Sequence, residues 1–270
     1  MILKGKTALV TGGSSGIGRA IAANLAMDGA SVAINYRKNR EGAESAAAEI
    51  NSKGRRAICL QGDVCCADEA RRLIEVASEQ LGSLDILVNN VGEFFFSSLA
   101  HTTYEDWERV LSSNLGSVFL VCKAALPLMK RDGGGCIINV GLSPVDRVRG
   151  APNVAAYSIA KTGVIILTRS LAVEEAHNGI RVNCVSPGLI DNGHLPQEQK
   201  IWMEKRVPMG RLGKAEEVAQ AVSFLASDLA SYISGANLAV SGAWDWEDRP
   251  TSHDGLVENL FGGDEDEERN

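Results

Sequence analysis

The stretch Thr11-Gly12-Gly13-Ser14-Ser15-Gly16-Ile17-Gly18-Arg19 decides the fold of this chain. The apolar run Ala8-Leu9-Val10 precedes it, and helical spacing over 17–27 follows, ending at Asp28-Gly29, a good helix stop. A glycine-rich turn between a strand and a helix lets the backbone bend tightly and come close to a pyrophosphate. The helix behind it aims free N–H groups and its positive end at that anion. A glycine-rich loop alone is weak evidence, but at the first strand–helix junction of a domain it points to a dinucleotide. Gly12, Ser14, Ser15, Gly16, Ile17 and Gly18 are the candidate phosphate-loop residues.

Outward from this loop, strand and helix patterns alternate. Apolar runs predict strands over 7–10, 31–35, 57–60, 84–89, 136–140, 180–185 and 237–240. Helical spacing predicts helices over 17–27, 41–52, 67–81, 104–130, 155–176 and 214–227. The strands are continuous apolar runs rather than alternating ones, which means burial on both faces. The fold class expected is therefore α/β: a doubly wound parallel sheet of Rossmann type, about seven strands, in a single domain over 1–244.

Residues 245–270 differ: they hold ten acids and two bases, so the tail carries −8 of the net −7 and the remainder is +1. The tail reads as an acidic, mobile extension. The near-neutral body offers no basic field for nucleic acid. No uninterrupted apolar run approaches the ~18–20 residues that cross a bilayer, and the first strand begins too early for a signal peptide. The six cysteines form no C-x-x-C pair and have no His at zinc spacing, so reduced thiols, no metal site and a cytoplasmic location are expected.

Cofactor choice is read at the end of the second strand. An acid there binds the ribose 2′-OH of NAD; this chain has Tyr36 followed by Arg37 and Lys38. No carboxylate repels a 2′-phosphate, and a guanidinium can bind one through two hydrogen bonds. NADP(H) is expected, with NAD(H) as the alternative. Further along, Tyr157 and Lys161 stand four residues apart in a helical segment, on one face and one turn apart. A nearby ammonium favours the phenolate and lowers the phenol's pKa, so that tyrosine can exchange a proton with a carbonyl oxygen.

These motifs together resemble the short-chain dehydrogenase/reductase family over about residues 4–244. Within it the pattern is most similar to 3-oxoacyl-(acyl carrier protein) reductase-like members, through Asn35-Tyr36-Arg37, Val207-Pro208-Met209-Gly210-Arg211 and Phe224-Leu225-Ala226-Ser227-Asp228. The resemblance implies that Asp63 and Val64 meet the adenine and that Asn90 and Gly92 line the cofactor. It implies that Pro187, Gly188 and Ile190 hold the nicotinamide end. Asn114, Tyr157 and Lys161 are implied as catalytic residues, with Asn114 anchoring a water beside the lysine. The implied activity is hydride transfer between NADP(H) and a carbonyl or secondary alcohol, on a small-molecule or acyl-carrier-bound substrate. Sugar, steroid and other alcohol dehydrogenases share these features and stay open. So do a dinucleotide-binding sensor without turnover and an assembly module that recruits a partner through the tail. A homotetramer is expected from the family and from the long apolar helices.

Three positions depart from the family pattern. Leu142 stands where the family places a serine just after the fifth strand, and the nearest hydroxyl is Ser143, followed by Pro144. Ser143 is expected to take over the hydrogen bond to the substrate oxygen, because a longer loop can absorb the slip. Asn192 replaces a common Thr, and Ser241 replaces a usual Asp. The substrate segments are expected over 93–103, 142–154 and 189–206, where Phe94, Phe95, Phe96, Trp202 and Met203 suggest an apolar wall.

Overall fold

A computed structural model describes residues 1–143 and 150–244 of the chain. Seven parallel strands form one sheet: β1 (Thr7–Val10), β2 (Ser31–Tyr36), β3 (Ala57–Gln61), β4 (Ile86–Asn89), β5 (Gly135–Val140), β6 (Ile180–Pro187) and, at the far edge, Asn237–Val240. Between them lie α1 (Gly16–Met27), α2 (Arg40–Ser52), α3 (Ala67–Leu81), α4 (Tyr104–Leu111), α5 (Ser117–Arg131) and α6 (Ala155–Glu175). After β6 come β7 (Ile190–Asp191), α7 (Gln197–Glu204), β8 (Gly213–Lys214) and α8 (Ala215–Ala226), which makes the far-edge strand β9. The order is β3-β2-β1-β4-β5-β6-β9, so the direction of winding reverses between β1 and β4. Ligands bind in the crevice at the carboxyl ends of strands at such a switch point. The loops that leave β1 and β4 carry the phosphate loop and Asn90–Gly92.

Alternate side chains of each strand feed two cores. Ala8, Val10, Ile86, Val88 and Ile138 meet Ile21 and Leu25 of α1 and Val218 and Val222 of α8. Leu9, Leu87 and Ile137 face the other way, toward Ile74 of α3, Val121 of α5 and Val164 of α6. This two-sided burial is why the strands read as unbroken apolar runs. By averaged hydropathy, Tyr104–Arg131 and Ala155–Asn178 do reach the length and apolarity of a membrane span. Both lay buried faces on the sheet, as core helices do.

Two sequence expectations change. The helix expected over 104–130 is interrupted by a π-helical segment, Ser112–Gly116. The pair β7–β8 and helix α7 were not expected, because strands of two residues give no periodic signal. The tail expectation falls on 245–270, outside the described residues.

Candidate active site

The phosphate loop is fixed from three directions. Thr11 N–H donates to the Val88 carbonyl, and Gly13 N–H to the Asn35 carbonyl. Asn90 Nδ2 donates to the carbonyls of Thr11 and Gly12 at 3.1 and 3.2 Å, tying the loop to the end of β4. Gly12 and Gly16 have φ of +61° and +52°, the left-handed region that favours glycine. At Gly18 a Cβ would collide with the Gly12 carbonyl oxygen, so only glycine lets α1 start this close to the turn. Ser15 caps α1 without a side-chain hydrogen bond, which leaves the first N–H groups available to an anion. These features fit a bound pyrophosphate.

Around the residues expected to meet the adenosine, a cavity of about 400 Å³ is lined by Arg37, Lys38, Gln61, Asp63, Glu69 and Arg72. Partial burial alone would raise the Asp63 carboxyl. The Cys65 N–H and the Arg37 guanidinium, at 2.9 and 3.3 Å, overcome it and hold the group below its ordinary value. Arg37 and Lys38 are exposed, as a 2′-phosphate site requires. Tyr36 is not: its ring is packed in the core, and its carbonyl accepts the Gly62 N–H. Val64 is likewise buried, in the other core. Ile190 packs its side chain against Gly213, whose absent Cβ makes the room.

The two residues expected to act as acid–base groups both lie on α6. Tyr157 is half-buried, and Lys161 is buried with its Nζ 5.7 Å from the tyrosine ring centroid. Lys161 Nζ donates to the Val140 carbonyl at 2.9 Å. Burial lowers the ammonium to about 8, against a small opposing influence of Cys184 beneath it. Burial also pushes the Tyr157 phenol up to about 12. The expectation that Lys161 draws Tyr157 toward the phenolate is therefore reversed in this structure. Loss of hydration outweighs the neighbouring charge, and Tyr157 remains a protonated phenol at neutral pH.

Asn114 lies in the π-helical segment and is fully buried. Its Nδ2 donates to the Val110 carbonyl one turn back and to the Glu93 carbonyl, at 3.0 and 2.9 Å. Its Oδ1 is buried without a partner. A Cβ on Gly92 would collide with that oxygen and lie 3.0 Å from Lys161 Nζ, so Gly92, Asn114 and Lys161 share one small polar space. An orphaned acceptor facing a lysine is where an ordered water belongs. The π segment is the feature that sequence periodicity did not reveal; such single turns recur at functional sites.

Ser143 is buried, and its N–H donates to the Pro187 carbonyl at 2.9 Å. Leu142 sits in the hydrophobic cluster that also contacts Tyr157. The rest of the loop, 144–149, lies outside the described residues. Pro187 ends β6, and a Cβ at Gly188 would come within 2.7 Å of Ser241, so the two loops touch only because both residues are small. Asn192 Oδ1 accepts the His194 N–H, closing a local turn. Met203 is buried with Val207, Leu212 and Trp244 in a separate apolar cluster, on which Leu189, Leu195 and Trp202 pack.

A family model described as enoyl-(acyl carrier protein) reductase matches residues 12–244. A 3-oxoacyl-[acyl-carrier-protein] reductase FabG of Staphylococcus aureus is 43% identical over 240 residues, 88% of this chain and 97% of that protein. An L-rhamnose 1-dehydrogenase (NAD(P)(+)) of Sphingomonas sp. is 40% identical, over 89% of this chain and 96% of its own. Among solved structures, a dehydrogenase/reductase from Sinorhizobium meliloti has a TM-score of 0.84 at 34% identity, covering 89% and 95% of the two chains. A blue fluorescent protein from a metagenomic library, in complex with NADPH, has a TM-score of 0.83 at 37% identity, covering 90% and 98%.

Proposed function

Because the chain belongs to the short-chain dehydrogenase/reductase family, we propose that it is an NADP(H)-dependent oxidoreductase that works as a carbonyl reductase. The observation that carries the reading is the placement of Tyr157 and the buried Lys161 on α6, with the ammonium 5.7 Å from the tyrosine ring and next to Gly92; the phenol, raised by burial, is the proton donor. A nicotinamide cofactor, when bound, supplies the hydride.

The chain's own residues do the rest. The N–H groups behind Gly16 and the turn at Gly12 receive the pyrophosphate, and Asn90 keeps that turn in place. Asp63 is placed to accept the adenine amino group, and Arg37 and Lys38 to bind a 2′-phosphate. Pro187, Gly188 and the Ile190 backbone border the nicotinamide end. At the reacting oxygen Tyr157 delivers its proton, and Ser143 adds a second hydrogen bond to the growing alkoxide. Lys161 then stabilises the phenolate left behind, and a water on Asn114 Oδ1 returns the proton.

The 43% identical FabG supports a 3-oxoacyl thioester as the substrate, and the L-rhamnose dehydrogenase supports a free alcohol or ketone. We place residues 1–244 as the catalytic domain and the protein in the cytoplasm, with all six cysteines free. We also propose a homotetramer, supported by apolar side chains left exposed on the long helices: Phe119 of α5, and Ile159, Ile166 and Val173 of α6. An NADPH-oxidation assay over a carbonyl panel tests the function. Turnover that falls about 10²–10⁴-fold in Tyr157→Phe supports it. NADPH binding without turnover of any carbonyl returns the sensor reading to first place.

A further inference from the structure

Phe94 lies two residues beyond Gly92, in the loop that leaves β4. Its ring centroid is 5.3 Å from that of Tyr157, with the planes at 79°. The ring is 49% exposed. The loop around it is held on both sides. Before it, the Glu93 carbonyl accepts from Asn114 Nδ2, and the Glu93 carboxylate pairs with Arg109. Arg109 in turn lies 5.4 Å over the Phe95 ring. After it, Ser97 N–H donates 2.7 Å to the carbonyl of Asn153, two residues before α6 begins. The helix that carries Tyr157 and the segment that carries Phe94 are therefore locked together. The ring beside the acid is a fixed surface.

We propose that Phe94 determines substrate choice, favouring carbonyl compounds that bear an aryl or conjugated group next to the carbonyl. The inference rests on the reading of Tyr157 as the proton donor. A carbonyl oxygen within hydrogen-bond reach of Tyr157 brings its nearer substituent against Phe94. That ring offers no hydrogen bond, so a polyol would leave its hydroxyls unpaired there, at a cost. The neighbouring Glu93 carboxylate is paired with Arg109. An aromatic group gains both contact area and a ring–ring interaction, worth about two- to tenfold in binding beyond area alone. A saturated group of the same size gains only the area.

The test compares acetophenone with cyclohexyl methyl ketone, which differ in aromaticity at nearly equal size. Both are measured on the full chain, wild type, Phe94→Ala and Phe94→Tyr. Each ketone's Kd comes from ligand-observed NMR and its kcat/KM from NADPH oxidation. The wild type is expected to prefer acetophenone by about fivefold, chiefly in Kd and KM. Phe94→Ala loses the preference, and Phe94→Tyr keeps it. An unchanged preference in Phe94→Ala overturns the proposal, and so does an equal loss on both ketones, which would mean that Phe94 merely packs Tyr157. A wild type that binds both ketones equally overturns it as well. If the Phe94-dependent binding preference holds but neither these ketones nor any carbonyl of the panel is reduced, the reductase reading fails while the binding surface stands.

Discussion

Replacing Lys161 by Met is expected to make the protein more stable and inactive. Burial moves the Lys161 ammonium from 10.5 to about 8. At about 1.4 kcal/mol per pH unit, that charge costs the fold about 3 kcal/mol at pH 7. Met keeps most of the aliphatic volume and removes the charge. It also removes the donor to the Val140 carbonyl, and an orphaned buried acceptor costs about 1–3 kcal/mol. The balance is a gain of up to about 2 kcal/mol, or up to roughly 8 °C in Tm for a chain of this size. The sign depends on pH. Below pH 8 the lysine is charged in both the folded and the unfolded chain, and the penalty is full. As pH rises through 10.5 the lysine becomes neutral in both, and the penalty disappears. By pH 10 less than about 1 kcal/mol of it remains, so the orphaned carbonyl dominates and the variant becomes the less stable protein. Tm measured by scanning calorimetry at pH 7 and pH 10, at matched protein concentration, checks both halves. A Lys161→Met variant less stable than wild type at pH 7, or a difference independent of pH, refutes the reasoning.

Ser143→Ala should lower kcat about 10²–10³-fold with an identified substrate while leaving the NADPH Kd unchanged, because one oxyanion donor is lost and the cofactor seat is not touched; near-wild-type kcat would assign the hydrogen bond elsewhere. Gly18→Ala forces a methyl group into the Gly12 carbonyl and to 2.5 Å from Asn90 Nδ2. Overpacking of about 1–3 kcal/mol should open the loop, and isothermal titration should find NADPH bound about tenfold or more weakly; an unchanged Kd counts against the cradle. Deleting residues 250–270 should leave turnover within about twofold, measured in the same assay, and a collapse of activity would show that the tail takes part in the site.

The sheet was legible because each strand is buried on both faces, so strings such as Ala8-Leu9-Val10 and Cys136-Ile137-Ile138 carry the signal without help from context. The phosphate loop was legible for a related reason: Gly12 and Gly18 stand where φ or contact admits nothing larger, and such positions show as glycine in any reading. The environment of the catalytic groups was not legible. Nothing in the spacing of Tyr157 and Lys161 reports how completely the fold strips water from them, and desolvation, not their mutual charge, decides both pKa values. Tyr36 illustrates the same limit. Its position beside Arg37 suggested a cofactor contact, but the direction of a side chain at a strand end depends on the pleat, which turned the ring into the core. The π turn at Asn114 is invisible to a 3.6-residue period because it adds a residue without interrupting the apolar pattern on either side.

The features that cost stability lie together. The buried Lys161 ammonium and the unpartnered Asn114 Oδ1 border one small space beside Gly92, and the Tyr157 ring lies 5.7 Å from that ammonium. Elsewhere in the sheet Asn139 finds partners in Asn89 and Thr168, although Asn89 Oδ1 stays unpaired. A fold selected only for stability would fill that space with apolar groups, as Lys161→Met begins to do. An unsatisfied acceptor and an underhydrated cation side by side next to Gly92 are instead matched to what a reduction leaves behind. When Tyr157 gives up its proton, the phenolate gains the ammonium as a partner. The ammonium is then stabilised by the charge it lacked, and its pKa rises again. The same low dielectric that makes the resting site costly makes that pairing strong. The stability lost in the resting protein thus reappears as stabilisation of the charge formed during turnover, which is why the residues that strain the fold most are the ones expected to carry the chemistry.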